Sequence, residues 1–221
     1  MYIYFRNGTN KIERINTKRI KMIEIKVEVD DVIKSYSFPS SWSEVSVEQF
    51  SNLYGIDKEK YKGMFYTFEL IHQLTGVDKE IIEYMDYQDF VLLVKELNFV
   101  FDPIEDKKSE SIIVDGEEYF IYSEFNKYLA GEIISLELLL NSSGGDFVKI
   151  MPQLLCIFLR KKKENGKLEK YNTSFMDRID IFKKIKIDEI NHIFSFFLTG
   201  RASLANNTAD SSNPKENSLT M

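Results

Sequence analysis

Ser111-Ile112-Ile113-Val114-Asp115-Gly116-Glu117-Glu118-Tyr119-Phe120-Ile121-Tyr122 reads as two short strands around a two-residue turn. Asp-Gly between β-favouring runs is the signature of a type I′ turn, whose two central residues both need positive φ. Asp115 and Gly116 are therefore structural anchors. A second hairpin precedes this one. Ile23, Ile25, Val27 and Val29 alternate with Glu24, Lys26 and Glu28, Asp30-Asp31 permits a turn, and Val32 to Phe38 returns until Pro39 removes a backbone donor. An isolated hairpin is marginal in water. Were the two halves of the chain a true repeat, the two hairpins would pair into one four-stranded sheet with helices over it, which would solve this.

The segments between and beyond the hairpins carry helical signals. Trp42 anchors a short connector, and Ser46-Val47-Glu48-Gln49 has capping-box spacing for a helix to about Tyr54. Asp57 is placed to cap a helix over about 58–74, with Met64, Phe65, Phe68, Ile71 and His72 on one stripe and Gly76 stopping it. Asp78 and Asp86 cap two more, the latter with Phe90, Leu93, Val94 and Leu97 inward. Pro103 and the polar run to Glu110 form a linker. After the second hairpin, Tyr128–Leu140 and Phe147–Leu159 are apolar helices, Pro152 sitting near the first turn of the latter. Arg160–Tyr171 is a polar excursion around an Asn165-Gly166 turn. Ser174 and Asp177 have capping spacing for a helix through Lys184, and Asp188 caps a last one with Ile190, Ile193, Phe194 and Phe197 inward.

The fold class is thus α+β and predominantly helical: two β-hairpins, at about 22–38 and 111–122, packed with about seven or eight helices. The halves align by eye as an internal pseudo-repeat. Phe38 falls with Phe120, Trp42 with Phe125, Glu48 with Glu132, Phe50 with Ile134, Phe65–Leu74 with Val148–Leu159, and the Asp86–Phe99 helix with Asp188–Phe197. The organisation expected is a basic extension at 1–21, one hairpin-plus-helices unit over 22–104, and a second over 105–200 packed with the first as one body. A polar tail at 201–221 is too poor in apolar residues to offset its ordering entropy. Residues 1–21 read as a solvated extension or as sequence upstream of a start at Met22, with a nucleic-acid arm as the rival.

Composition bounds function. The 221 residues carry 29 Lys+Arg against 35 Asp+Glu, a net charge of -6 that repels phosphate backbones and argues against nucleic acid as the default partner. The single cysteine, Cys156, makes no internal disulfide and no cysteine metal site alone. No apolar run approaches the ~20 residues of a membrane helix.

Each candidate for chemistry meets a plainer explanation. Cys156 lies in Leu154-Leu155-Cys156-Ile157-Phe158, where a thiol packs as a small hydrophobe. His72 falls on an apolar stripe. His192 follows Asp188 by four residues, the spacing of a helix-surface pair. No metal-ligand spacing, cofactor fingerprint or phosphate cradle occurs. Arg160-Lys161-Lys162-Lys163 is the one dense basic run. With Asn165 and Gly166 it forms the candidate partner-contact surface, alongside the anchors Trp42, Asp115, Gly116 and Pro152.

In their order, several stretches resemble small proteins of tailed-phage structural modules, of the crAss-like type that infects gut Bacteroidales. They are Met22-Ile23-Glu24-Ile25, Pro39-Ser40-Ser41-Trp42-Ser43-Glu44-Val45-Ser46, Val114-Asp115-Gly116-Glu117-Glu118-Tyr119, Met151-Pro152-Gln153-Leu154-Leu155, Lys170-Tyr171 and Phe194-Ser195-Phe196-Phe197-Leu198. The resemblance covers about residues 22–200. It implies a non-enzymatic virion structural or tail-assembly protein with no catalytic residue, cofactor or metal. Other phage structural proteins would be its partners, self-association into a ring is one form that could take, and the setting would be the host cytoplasm during assembly and the virion. The alternatives are a tail-assembly chaperone absent from the mature particle, a nucleic-acid-binding accessory protein and, last, a small Cys/His enzyme.

Overall fold

The computed structural model describes residues 2–5, 11–13, 23–29, 32–105 and 107–194. Met22, Phe197 and the tail at 201–221 lie outside the described residues. Among these the order is β1 (Tyr2–Phe5), β2 (Lys11–Glu13), β3 (Ile23–Val29), β4 (Val32–Phe38), α1 (Val47–Tyr54), α2 (Met64–Thr75), α3 (Lys79–Glu83), α4 (Tyr87–Glu96), β5 (Ser111–Val114), β6 (Glu117–Ile121), α5 (Ala130–Ser142), α6 (Met151–Phe158), β7 (Leu159–Arg160), α7 (Ile179–Phe182) and α8 (187–194). The fold is α+β and predominantly helical, as the sequence indicates.

The two hairpins form, but they do not share a sheet. β3 and β4 pair antiparallel from Ile23↔Phe38 to Val29↔Val32, in a sheet of order β2-β1-β3-β4. β5 and β6 pair from Ser111↔Phe120 to Val114↔Glu117, in a sheet of order β5-β6-β7. The expected four-stranded union is therefore corrected: each hairpin is completed by strands of its own. β1 lies parallel to β3, with Tyr2 opposite Glu24, and β2 antiparallel to β1. Two short pieces of the segment read as a basic extension are thus sheet strands. Runs of four and three residues are too short to show a period.

One core joins the halves, running from Phe38 through Leu93, Tyr119 and Leu155 to Phe194. The seam is visible at the start of α1, where four backbone donors lack helical partners. Ser46 N–H goes to Gln49 Oε1 at 2.8 Å, and Gln49 N–H to Ser46 Oγ at 3.2 Å. Val47 and Glu48 donate instead to the carbonyls of Ile185 and Lys183, at 2.9 and 3.1 Å. Ile187 N–H returns to Val45 O at 3.0 Å. The first helix of the first half is capped by the last loop of the second.

Several boundaries differ from the sequence expectation. Asp57 accepts from the N–H groups of Glu59 and Lys60, closing a turn rather than opening a helix. Gly63 then takes φ 57° and α2 starts at Met64. Its buried face is Leu70, Ile71 and Leu74 with Glu69, while Met64 and Phe65 are exposed. Asn172, not Ser174 or Asp177, caps the segment before α7, accepting from Ser174 N–H at 3.2 Å. Thr173–Arg178 is then 3-10, leaving α7 a single turn.

Candidate functional site

The basic run begins with a residue that never reaches the surface. α6 ends at Phe158 and the chain passes straight into β7, which pairs Arg160 with Phe120 and Leu159 with Ile121. Arg160 is 1% exposed. Its guanidinium forms an ion pair with Glu132, and its Nη1 donates to the Cys156 and Leu159 carbonyls at 3.3 Å each. Aromatic rings surround it: Tyr122 at 5.6 Å, Tyr171 at 5.5 Å and Phe175 at 5.1 Å from centroid to Cζ. Arg160 is therefore corrected from a partner contact to a core residue. The signal for this was present in α5, where Glu132 stands alone at the start of an apolar helix and so calls for a buried cation.

The helix start gives Glu132 a second partner. It is the third residue of α5, and its Oε2 accepts from Leu129 N–H at 2.6 Å. The helix N-terminus and the Arg160 guanidinium thus each supply a donor to one of its two oxygens. A second pair, Arg178–Glu169 at 2.5 Å, flanks the first across Phe175. Burial raises the Glu169 pKa, but the Arg178 hydrogen bond, the Lys161 N–H and both arginine charges outweigh it and hold the carboxyl below its ordinary value.

The remaining basic residues do lie outward. The excursion is a small hairpin with Lys162 opposite Leu168, closed by Lys163 N–H to Lys167 O at 2.9 Å. Asn165 Oδ1 accepts from Lys167 N–H, and Gly166 takes φ 75°. Lys161 pairs with Glu117 at 3.0 Å, and Lys162 Nζ sits 3.6 Å from the Phe120 centroid. Lys163, Lys167 and Lys170 are exposed.

Of the four residues read as anchors, Trp42 starts a 3-10 segment, Asp115 and Gly116 form a turn and Pro152 lies in a helix. Trp42 Nε1 donates to Asp102 O at 2.9 Å and meets Phe50 and Phe99 edge-on. Asp115 and Gly116 take φ 50° and 79°, and the Asp115 carboxylate pairs with Lys184 at 2.7 Å. Pro152 is buried in the first turn of α6.

Cys156 is fully buried, its thiol donating to Pro152 O, and burial pushes it up to about 12. Such a thiol supplies almost no thiolate near neutrality. His72 Nδ1 meets Val77 O at 2.7 Å. His192 is not a surface partner of Asp188. Both of its ring nitrogens are buried without a hydrogen bond, and Asp188 pairs with Lys107 at 2.6 Å. Among the described residues no group of three His, Cys, Asp or Glu side chains could hold a metal ion, and no helix is long and apolar enough to cross a membrane.

Asp89 is a buried group poorly suited to its place. It is 2% exposed on α4, and Oδ2 has no hydrogen bond. Burial, with the charge of Asp86 added, raises its pKa. The ionised form is thus worse off folded than unfolded, so wild type loses stability as pH rises through the raised value. Asp89→Asn is expected to gain about 1 kcal/mol at pH 7. That gain should vanish below the unfolded carboxylate value of about 3.9. Urea melts of both proteins across pH 3–8 check this; a pH-independent difference would be inconsistent with it.

What the surface offers is apolar area. α5 carries apolar side chains on both its faces: Leu136 and Leu140 face the core, while Ile134 and Leu138, one turn apart, are 55% and 64% exposed. A groove of about 510 Å³ is lined by Trp42, Tyr54, Tyr66, Phe101 and Pro103. A cleft of about 490 Å³ lies between the 160–171 hairpin and α8, where Phe120, Lys162, Leu168 and His192 meet.

No family model, curated protein or solved structure matches this chain. What it does must therefore be argued from these surfaces and from the order of its sequence motifs.

Proposed function

We propose that this chain is a non-enzymatic phage morphogenesis protein, a tail-assembly or minor virion component that works through protein–protein contacts. The outer face of α5 carries the reading. A helix with apolar side chains on its outer as well as its inner face belongs where both are covered, and among the described residues only the inner one is. Large apolar side chains exposed one turn apart, as Ile134 and Leu138 are, suit a contact surface. The phage setting rests on the ordered sequence resemblance over 22–200. The buried, pKa-raised Cys156 and the absence of a hydrogen bond joining it to His72 or His192 among the described residues favour a role in contacts over catalysis.

Mass spectrometry of purified mature particles of the encoding phage tests this. A fixed copy number per particle is expected. Absence from particles, with loss of the gene still blocking tail formation, would identify a chaperone acting in the host cytoplasm instead. Absence together with normal particle yield after gene loss would sink both assembly readings.

A further inference from the structure

Charge in this chain is separated along the fold. From 160 to 186 ten Lys and Arg stand against four Asp and Glu, although the chain as a whole carries -6. From 76 to 105 the balance reverses, with eight Asp and Glu against two Lys and Arg. The first stretch holds the basic hairpin, the second α3 and α4. Among the described residues Lys163, Lys167 and Lys170 are exposed and form no ion pair, and the same holds for Glu80 and Glu83 on α3. Beside those carboxylates stand Tyr84 and Tyr87, 89% and 72% exposed, which is unusual for rings with nothing over them. Tyrosine with free carboxylates around it is a receptor for ammonium groups, through charge and through the ring face together.

We infer that copies of this chain associate head to tail, the 160–171 hairpin of one seated on the α3–α4 face of the next. The occupant is a second copy because one chain carries both complementary faces, each with unpaired charge. The two faces are different, so the contact is heterologous. Repeated, it closes into a ring or runs on as a filament. The hairpin suits the part, since Arg160 fixes its base in the core while its lysine-bearing tip projects outward. The contact deepens the assembly reading and rests on it. It leaves the α5 face free for a different protein.

Sedimentation velocity of the full chain, up to about 1 mM, tests it at about 0.05 and about 0.5 M NaCl, conditions that differ strongly in screening. Concentration-dependent oligomers are expected at low salt, weakened about tenfold or more at high salt. Lys163→Glu/Lys167→Glu/Lys170→Glu reverses one face and Glu80→Lys/Glu83→Lys the other. Each variant alone should sediment as monomer, because its two faces then carry like charge. An equimolar mixture of the two should associate again, a result that misfolding cannot produce. Monomeric wild type at both salts, self-association of either variant at the wild-type level, or a mixture that stays monomeric would each overturn the contact. Any of these would leave the assembly reading standing, which fails instead if particles lack the chain and form at normal yield without its gene.

Discussion

Arg160→Ala is expected to cost about 3–5 kcal/mol, the range for breaking a buried ion pair from one side. For a chain of this length that is a drop of roughly 6–20 °C in Tm. The loss is large because of what remains. Glu132 stays at 2% exposure without its guanidinium partner, beside the space Arg160 leaves among Tyr122, Tyr171 and Phe175. Glu132→Ala should cost a similar amount, since it strands the guanidinium and also frees Leu129 N–H. Arg160→Met with Glu132→Gln should recover most of either loss, because no uncompensated charge is left and Gln can still accept from that N–H. Arg160→Lys should rescue little. An ammonium cannot reach Glu132 and two carbonyls from one planar head. Urea titration reads these effects as shifts in midpoint at constant slope. An Arg160→Ala protein within 1 kcal/mol of wild type would mean that the pair does not hold this core.

Arg160 also shows where the sequence stops being informative. Arg-Lys-Lys-Lys reads as surface because three of its four residues are. The fourth is set by a non-local event, the pairing of β7 with β6, which nothing within the run announces. Features that depend on near neighbours were legible: the Asp115-Gly116 turn, the Ser46 capping box, Gly76 in the left-handed conformation, and Asp86 accepting from Gln88 N–H at 2.8 Å. Features that depend on distant strands were not. The parallel pairing of β1 with β3, the two separate sheets and the true role of Arg160 all belong there. The stripe on α2 held at Ile71 and Phe68 and failed at Met64 and Phe65, for a related reason. Periodicity gives a face, but which of two adjacent faces is inward depends on the elements packed against it.

The same geometry clarifies the internal likeness between the halves. After each hairpin comes one 3-10 turn, Trp42–Glu44 or Phe125–Lys127, and then a helix. In each helix the third residue reaches back to the backbone N–H before it: Gln49 to Ser46, and Glu132 to Leu129. Each also ties to the end of the following long helix. Gln49 Nε2 donates to Leu74 O, at the end of α2, and Glu132 accepts from Arg160, just past α6. The equivalent of Glu132 is therefore Gln49, one residue from the Glu48 that alignment by eye selects. In the first half a neutral amide meets a carbonyl, and in the second a carboxylate meets a guanidinium. A charged version of one tie places Arg160 in the core and so anchors the basic hairpin.

Ile134→Glu with Leu138→Glu is expected to abolish partner binding while leaving the fold intact. Both side chains are more than half exposed, so their replacement should move stability by no more than about 0.5 kcal/mol each. At the centre of a contact, truncating or charging such anchors typically costs about 2 kcal/mol or more apiece, on the order of a thousandfold in affinity together. Glu137→Lys, between them in sequence and also exposed, is the control, since it changes charge on the same helix while leaving Ile134 and Leu138 in place. Expressed in place of wild type during infection, the double variant should accumulate as folded protein yet fail to support tail formation, whereas Glu137→Lys should support it. Two outcomes would count against the α5 surface. Normal particle yield with the double variant would show that the face is idle. A large drop in Tm would show that Ile134 and Leu138 serve this chain's own packing. The outcome separates α5 from the charged faces as well. Because the hairpin and α3–α4 are untouched, salt-sensitive self-association of the double variant should match wild type, and only contact with the other protein should be lost.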